Sequence, residues 1–519
     1  MKTILHGAVA LMLAAMPALA QRLTIGVSAA PTSVDPHFHN GTSTQTLSYN
    51  LFDTLFLLTP EVSVAPGLAL SWRPIAETVW EIKLRPNVRW TDGRPFTADD
   101  VAFTVQRAPN VPNTTGGYGG AVRPITRVEV VDALTIRFHT NGPAPNLAVD
   151  MSGLAIVSRR AGEGATTEDY NTGRAAIGTG AYRLVRYSTN EQTELVRNED
   201  WWGPRPDWDS AIIKYLPNAA ARTAALLSGT VDLIDTPSPN DLPRLQSDPR
   251  FAVHSRQGMR LIYLAPNQAA EVAPFVTDHE GRPLPRNPLR DQRVRQALSI
   301  AINRAGLADR VMQNTATPNG QWMPSFSPAY NPDVPVPAFD PERARRLLAE
   351  AGYPQGFRIT VHVSATSRPT DSIAAQAIGQ MWTRIGVQTQ VEAVPFAAYA
   401  ARAANLEYAV SMFGWASQTH AGYALVNLFN TYSRERLTGA FNRSGYSNPA
   451  LDALTDRALT TLDDGQRDGM LRQAVAMAME DVGIIPLYQM TNFWASRRGV
   501  TYGATGYDYT RITQARISR

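Results

Sequence analysis

The chain has 519 residues, no cysteine, 18% charged residues and a formal net charge of +4 at pH 7. The missing cysteines exclude disulfides, thiolate metal sites and cysteine nucleophiles, and a chain this long can build two or three hydrophobic cores without covalent staples. Arginine far outnumbers lysine, but the charges are interspersed without a basic run or arm, so nucleic-acid binding is not indicated.

Residues 1–20 carry one basic residue, Lys2, an apolar run from Ala8 to Ala15, and Pro17-Ala-Leu-Ala20. That is the layout of a secretory signal peptide with a small-residue cleavage site. The run is too short to span a bilayer, which takes about 20 apolar residues. The alternative is a buried N-terminal helix. With cleavage, the mature chain starts at Gln21 and carries no cysteine for a lipid anchor, which points to a periplasm.

From Val79 to Trp90 the chain alternates as a strand does, with Trp80, Ile82 and Leu84 on one face and Glu81, Lys83 and Arg85 on the other. Thr97-Ala-Asp-Asp100 resembles a capping box and opens a helix through Val101 and Val105. Leu134, Ile136 and Phe138 mark another half-buried strand. A cap at Asp291 and apolar residues at Val294, Ala297, Leu298, Ala301 and Ile302 predict a helix. A second helix follows Asp340: Pro341 suits its first turn, Glu342 complements its dipole, Ala344, Leu347, Leu348 and Ala351 form its apolar face, and Gly352 and Pro354 end it. Strands and helices interleave throughout, so the fold class is α/β or α+β. Two breaker-rich segments, Pro266 to Pro288 and Asn319 to Pro341, read as loops or as crossings between domains.

Catalytic signatures are absent: there is no His-Glu-x-x-His, Gly-x-Ser-x-Gly, Walker loop or full dinucleotide fingerprint. Gly178-Thr-Gly180 lacks a third glycine and precedes the strand-like Tyr182-Arg-Leu-Val-Arg-Tyr187, so it reads as a tight turn rather than a phosphate cradle. His37-Phe-His39 is the only close histidine pair. Two imidazoles at this spacing can chelate a metal, but no third ligand lies beside them, and a polar loop is favoured. Trp201, Trp202 and Trp208 offer either a stacking platform or packing. Gly116-Gly-Tyr-Gly-Gly120 is a flexible loop that presents Tyr118.

The helix Asp340-Pro-Glu-Arg-Ala-Arg-Arg-Leu-Leu-Ala-Glu-Ala-Gly-Tyr-Pro354 resembles one found in the large solute receptors of peptide-type ABC importers, the family-5 extracytoplasmic binding proteins. The resemblance recurs in order along the chain: Ser33-Val-Asp-Pro36, Tyr49-Asn-Leu-Phe-Asp-Thr-Leu55, Pro66-Gly-Leu-Ala-Leu-Ser-Trp72, and Leu84-Arg-Pro-Asn-Val-Arg-Trp-Thr-Asp-Gly-Arg-Pro-Phe-Thr-Ala-Asp-Asp-Val101. It continues through Ile177-Gly-Thr-Gly-Ala-Tyr-Arg183, Arg197-Asn-Glu-Asp-Trp-Trp-Gly203, Arg290-Asp-Gln-Arg-Val-Arg-Gln-Ala-Leu298 and Tyr446-Ser-Asn-Pro449.

That resemblance implies a two-lobed α/β periplasmic binding protein with an inserted domain and a hinge between the lobes. Residues 21–48, 174–263 and 486–519 would form a discontinuous lobe, 49–173 the insert and 264–485 the second lobe. The crossings would lie near Leu261 to Pro266 and Ile484 to Leu487. It further implies a monomeric, non-enzymatic receptor without a cofactor, which passes a small or medium solute, peptide-like or other, to an inner-membrane ABC permease and ATPase. A receptor for a chemosensor or a folding chaperone would use the same closed surface, and a metal-assisted hydrolase built on His37 and His39 is the enzymatic rival.

In peptide-binding relatives, the segment after a Gly-Trp pair carries an aspartate that pairs with the α-amino group of the peptide. Here Gly414-Trp415 is followed by Ala416-Ser-Gln-Thr-His-Ala-Gly422, which puts Gln418 at the aspartate's place and Ser417 and His420 beside it. Nickel-importing relatives use a cleft histidine near this point, so a metal-chelate receptor using His420 is the alternative reading. Arg368 lies in the segment that holds the other end of a peptide. Trp415 offers an apolar wall, and Phe38, His39, Asn40 and Tyr118 lie on loops that the resemblance brings near the cleft.

Burying an ammonium against a neutral amide costs several kcal/mol, so ordinary dipeptides and tripeptides with free amino termini should bind poorly. Gln418→Asp should raise affinity for a free-amino ligand that otherwise fits by about ten- to a hundredfold, the value of a charge-assisted hydrogen bond. Calorimetry reads this directly, and micromolar binding of unmodified dipeptides to the wild type would contradict it.

Overall fold

A computed structural model describes residues 21–114, 116–366, 368–416 and 420–518. Among them, one twelve-stranded sheet runs through the molecule. Its centre is a pair of long antiparallel strands, Phe251–Pro266 and Ile485–Arg497. On one side follow Leu233–Asp235, Arg22–Val27, Ser210–Tyr215, Gln192–Arg197 and Tyr182–Ser188. On the other side follow Val410–Ala416, Phe357–Ser364 and Val276–Thr277, with Val387–Val394 paired in parallel to Phe357–Ser364. Each flank has its own core. Ile25, Ile213, Leu233 and Trp208 pack on the first side. On the second, Val361, Trp382, Leu298, Ala344 and Leu348 pack together.

The two long strands do not pair evenly. Gln257 faces Thr491 and Leu261 faces Gln489, so three residues on one strand oppose one on the other. A bulge of this kind bends the strand and increases its twist. Gly258 is required there: a Cβ would meet the Asn492 side chain at 2.7 Å and the Met490 carbonyl oxygen at 2.9 Å. In the segments Leu261 to Pro266 and Ile484 to Leu487, where the crossings between lobes were expected, a second shift falls between Ile262 and Tyr263 and leaves Leu487 out of the ladder, while Leu261 to Pro266 also pair with Val410–Ala416.

A separate four-stranded antiparallel sheet lies in the early part of the chain, ordered Ala69–Ala76, Val79–Leu84, Thr135–Thr140, Ile125–Asp132. Trp80, Ile82 and Leu84 point into its core as their alternation predicts, with Ile136 and Phe138 beside them. The strand stops at Leu84 rather than reaching Trp90, because Pro86 cannot donate to a ladder and Asn87 is left-handed at φ 62°. The helix Ala98–Arg107 opens with the expected capping box between Thr97 and Asp100. The other caps also form: Asp291 accepts from the Arg293 amide, and Asp340 from the Arg343 amide at 2.8 Å. The first of these helices ends at Ile300, with Ala301 and Ile302 buried just beyond it.

Gly178-Thr-Gly180 is not the expected tight turn but an irregular segment packed against the chain, with the Gly180 amide donating to the Leu51 carbonyl. Its two glycines lie against the backbone at Leu51, and a Cβ on Gly178 would run into that carbonyl oxygen. The tryptophans also pack: Trp208 is buried and donates Nε1 to the Ala515 carbonyl, and Trp202 donates to Asp53 at 2.7 Å.

The loop after residue 32 is tied to the inserted domain by a buried ionic knot. Arg107 donates to both oxygens of Asp35, at 2.9 and 2.6 Å. It also approaches His37 Nδ1 at 3.0 Å, while Nε2 lies 2.8 Å from the Ala155 carbonyl oxygen. Arginine can only donate and a carbonyl can only accept, so the imidazole is neutral with its proton on Nε2. Burial, and next the Arg107 charge, push His37 down to about 4. Burial raises Asp35, but Arg107 outweighs it and holds the carboxyl below its usual range. His37 is thus a structural residue rather than a metal ligand.

In the unfolded chain this histidine takes up its proton near pH 6.5, well before the native state does at about 4. Its contribution to stability is therefore present above pH 6.5 and is lost as the pH falls toward 4. Burial pushes Asp53 up to about 6, which acts in the opposite sense but equally in a His37 variant. The stability difference between wild type and His37→Gln should shift against the wild type by about 3 kcal/mol between pH 7 and pH 4. Urea melts across that range measure it, and parallel curves for the two proteins would show that the native imidazole is not held neutral.

Candidate functional site

A cavity of about 1150 Å³ lies beside the bulge, lined by Met259 and Arg260 of the central strand. All parts of the fold contribute to it: Asn40, Gln45 and Tyr49 from the N-terminal region, Tyr118 and Asp150 from the inserted domain, Arg368, Trp415 and Arg443 from the second flank, and Tyr509 and Arg511 from the C-terminal segment. Its size suits a ligand larger than a single amino acid.

Aromatic rings dominate the lining, and packing fixes them. Trp415 ends the strand Val410–Ala416 and stacks on Tyr423 at 5.5 Å, with Phe441 tilted against it at 5.3 Å. The Trp415 indole N–H is buried and has no acceptor among the described residues. Tyr399 donates to the Met412 carbonyl at 2.6 Å. Tyr49 meets Tyr509 edge to face at 5.1 Å and donates to the Gly153 carbonyl.

The expected site residues divide into three groups. Asn40, Tyr118, Arg368, Trp415 and His420 line the cavity. Asn40 is oriented by Gln45, which donates to its Oδ1 at 2.8 Å. Burial raises the Tyr118 phenol to about 12, so it is a neutral hydroxyl there. Phe38 and His39 do not line the cavity, because their segment pairs along its backbone with the Gly116 loop and Thr114 donates to the Phe38 carbonyl. Ser417 and Gln418 lie outside the described residues.

Arg368 is not a free cation awaiting a carboxylate. It holds Asp371 through Nε at 3.1 Å and Nη2 at 2.7 Å. Burial raises the Asp371 carboxyl despite this partner. His420 Nε2 is 3.6 Å from Asp150 of the inserted domain, so the two face each other across the cleft. Among the described residues no group of three or more His, Asp or Glu side chains is gathered to hold a metal ion. Asp35 and Glu407 also lie off the cavity: Asp35 is buried on Arg107, and Glu407 bonds Arg402 and Asn405.

Sequence reasoning missed Tyr263, Tyr399, Arg260, Arg443, Asp508 and Arg511, all of which line the cavity. Arg260 and Asp508 form an ion pair at 3.2 Å. None of these residues stands in a motif, and they are brought together from elements far apart in the chain.

Residues 63–435 match the family described as bacterial extracellular solute-binding proteins, family 5 Middle. Heme-binding protein A of Haemophilus influenzae is 28% identical over 86% of this chain and 83% of its own length. The dipeptide-binding protein of Escherichia coli is 27% identical over 91% of this chain and 89% of its own. The structure of HbpA2 from Haemophilus parasuis superposes with a TM-score of 0.83 at 26% identity, covering 96% of this chain and all of that one. DppA from Helicobacter pylori, solved with the peptide STSA, has the same fold, with a TM-score of 0.75. With a two-lobed fold, a cavity between the lobes and a family match over most of its length, this chain belongs to the family-5 bacterial extracellular solute-binding proteins.

Proposed function

We propose that the chain is exported, captures a peptide-sized solute between its lobes, and delivers it to an inner-membrane ABC permease and its ATPase. The observation that carries this is the cavity itself, which draws side chains from both lobes and the insert. A ligand touching both lobes can favour the closed form, because only differential affinity for one state shifts the equilibrium. Relatives named for dipeptides, tripeptides, glutathione and heme support a solute of this size. The metal-chelate alternative is not favoured, since His420 faces a single carboxylate.

Within this reading Trp415, with its unpaired indole N–H, Tyr118 and Asn40 contact the solute. Gln418 and Ser417 retain the role their place after Gly414-Trp415 gives them. The domain division keeps the insert at 49–173 and the crossings near Leu261 to Pro266 and Ile484 to Leu487, a reading supported by the shift in strand pairing between Ile262 and Tyr263. No helix among the described residues is long and apolar enough to cross a membrane.

Protein recovered from a periplasmic extract should have an intact mass beginning at Gln21, and retention of Met1 to Ala20 would contradict export by cleavage. Denaturation should release a co-purified solute identifiable by mass spectrometry. Returning it to stripped protein should reduce the radius of gyration in solution scattering. No compaction at saturating solute would count against closure of two lobes.

A further inference from the structure

The charges of the cavity are unevenly paired. Its lining carries Arg123, Arg260, Arg368, Arg443 and Arg511 against only Asp150 and Asp508. Arg260 is matched by Asp508 and Arg368 by Asp371. Arg123 is exposed. Arg443 and Arg511 are partly buried and have no carboxylate at ion-pair distance among the described residues. Arg443 gives one hydrogen bond to the Ala440 carbonyl, at 3.1 Å, and lies over the Phe441 ring. Arg511 lies over the rings of Tyr49 and Tyr509, 5.1 and 5.9 Å from their centres, and its buried Nε has no acceptor.

These two arginines stand on opposite lobes. Arg443 is fixed by its neighbours: Asn442 donates to the Tyr446 carbonyl at 2.8 Å, and the Ser444 carbonyl accepts from the Gln268 amide at 2.7 Å, all in the second lobe. Arg511 is held on the first lobe, where the Thr510 and Ile512 amides donate to Thr46 and Asn50 of the helix Thr42–Leu51. A guanidinium drawn out of water without a partner is costly, and a carboxylate satisfies it with two parallel charge-assisted bonds. Each arginine is flanked by aromatic lining, Arg443 by Phe441 with its Trp415 and Tyr423 neighbours, and Arg511 by Tyr49 and Tyr509.

We propose that the solute carries two anionic groups on a peptide-like frame with an apolar or aromatic middle, one group taken by Arg443 and the other by Arg511. This rests on the receptor reading and adds its ligand class. A dianion that reaches both arginines at once satisfies one on each lobe, so it favours the form in which both are within reach and supplies the differential affinity that closure requires. The Arg368–Asp371 pair stays intact on binding, and Arg368 positions the neighbouring wall rather than serving as the main anion contact.

The test uses stripped full-length mature protein in equilibrium dialysis against N-acetylated tripeptides with two free carboxylates, and against the same pool fully methyl-esterified, with retention read by mass spectrometry. Dicarboxylates should be retained and esters excluded, and Arg443→Gln and Arg511→Gln should each weaken retention at least tenfold, as expected for loss of a charge-assisted bond. Arg443→Lys and Arg511→Lys keep the charge without the planar fork; they should give intermediate losses and stand in for a Gln variant that does not fold. Equal retention of the esters, no retention of either pool, or unchanged binding in all four variants would overturn the proposal. If the protein still compacts with its co-purified solute in those cases, only the ligand class is wrong; no compaction with any solute defeats the receptor reading as well.

Discussion

Everything else in this molecule depends on the pairing of the strands Phe251–Pro266 and Ile485–Arg497. These two strands join both lobes into one sheet, so the lobes are neither separate bodies on a flexible linker nor a single rigid slab. The ladder shifts register twice, between Gln257 and Leu261 and again between Ile262 and Tyr263, where Leu487 is skipped. Each shift bends the strand and increases its local twist. Gly258 permits the first of them because a side chain would collide with the opposite strand. The cavity opens at the same place, with Met259 and Arg260 in its wall.

Around this axis the molecule separates charges that support the fold from charges left for a ligand. The knot of Asp35, Arg107 and His37 is buried and fully bonded, and it fastens the N-terminal loop to the inserted domain. Asp53 is similarly consumed, accepting from Thr179 and Trp202. The arginines of the cavity differ: two have acidic partners within the protein, and Arg443 and Arg511 are stacked on aromatic rings. An aromatic face lowers the cost of a partly buried guanidinium without occupying its hydrogen bonds, which leaves both groups able to receive an anion.

Local features were legible in the sequence because neighbouring residues create them. The caps at Thr97, Asp291 and Asp340 and the alternation at Trp80, Ile82 and Leu84 each depend on a few consecutive side chains. Where a local signal was overextended, a local cause ended it: Pro86 and the left-handed Asn87 stop the strand before Trp90. His37 shows the opposite case. Its spacing to His39 suggested chelation, but its partners, Arg107 and Ala155, lie far along the chain and make it a buried hydrogen-bonding residue.

By itself the sequence determined the helices, the strands, the interleaved α/β class and the family, since these follow from short-range periodicity and from ordered motifs along the chain. The tertiary structure alone decided the rest of the cavity, beyond the Asn40, Tyr118, Arg368, Trp415 and His420 that the sequence motifs had pointed to. Tyr49, Asp150, Arg260, Tyr399, Arg443 and Arg511 meet there although they come from six separate segments, and no periodicity encodes such a meeting. Charge availability was also a tertiary matter. Arg368, Arg443 and Arg511 look alike in sequence, yet Asp371 occupies the first, while no carboxylate among the described residues lies at ion-pair distance from the other two, because tertiary packing determines which acidic groups come close enough to pair.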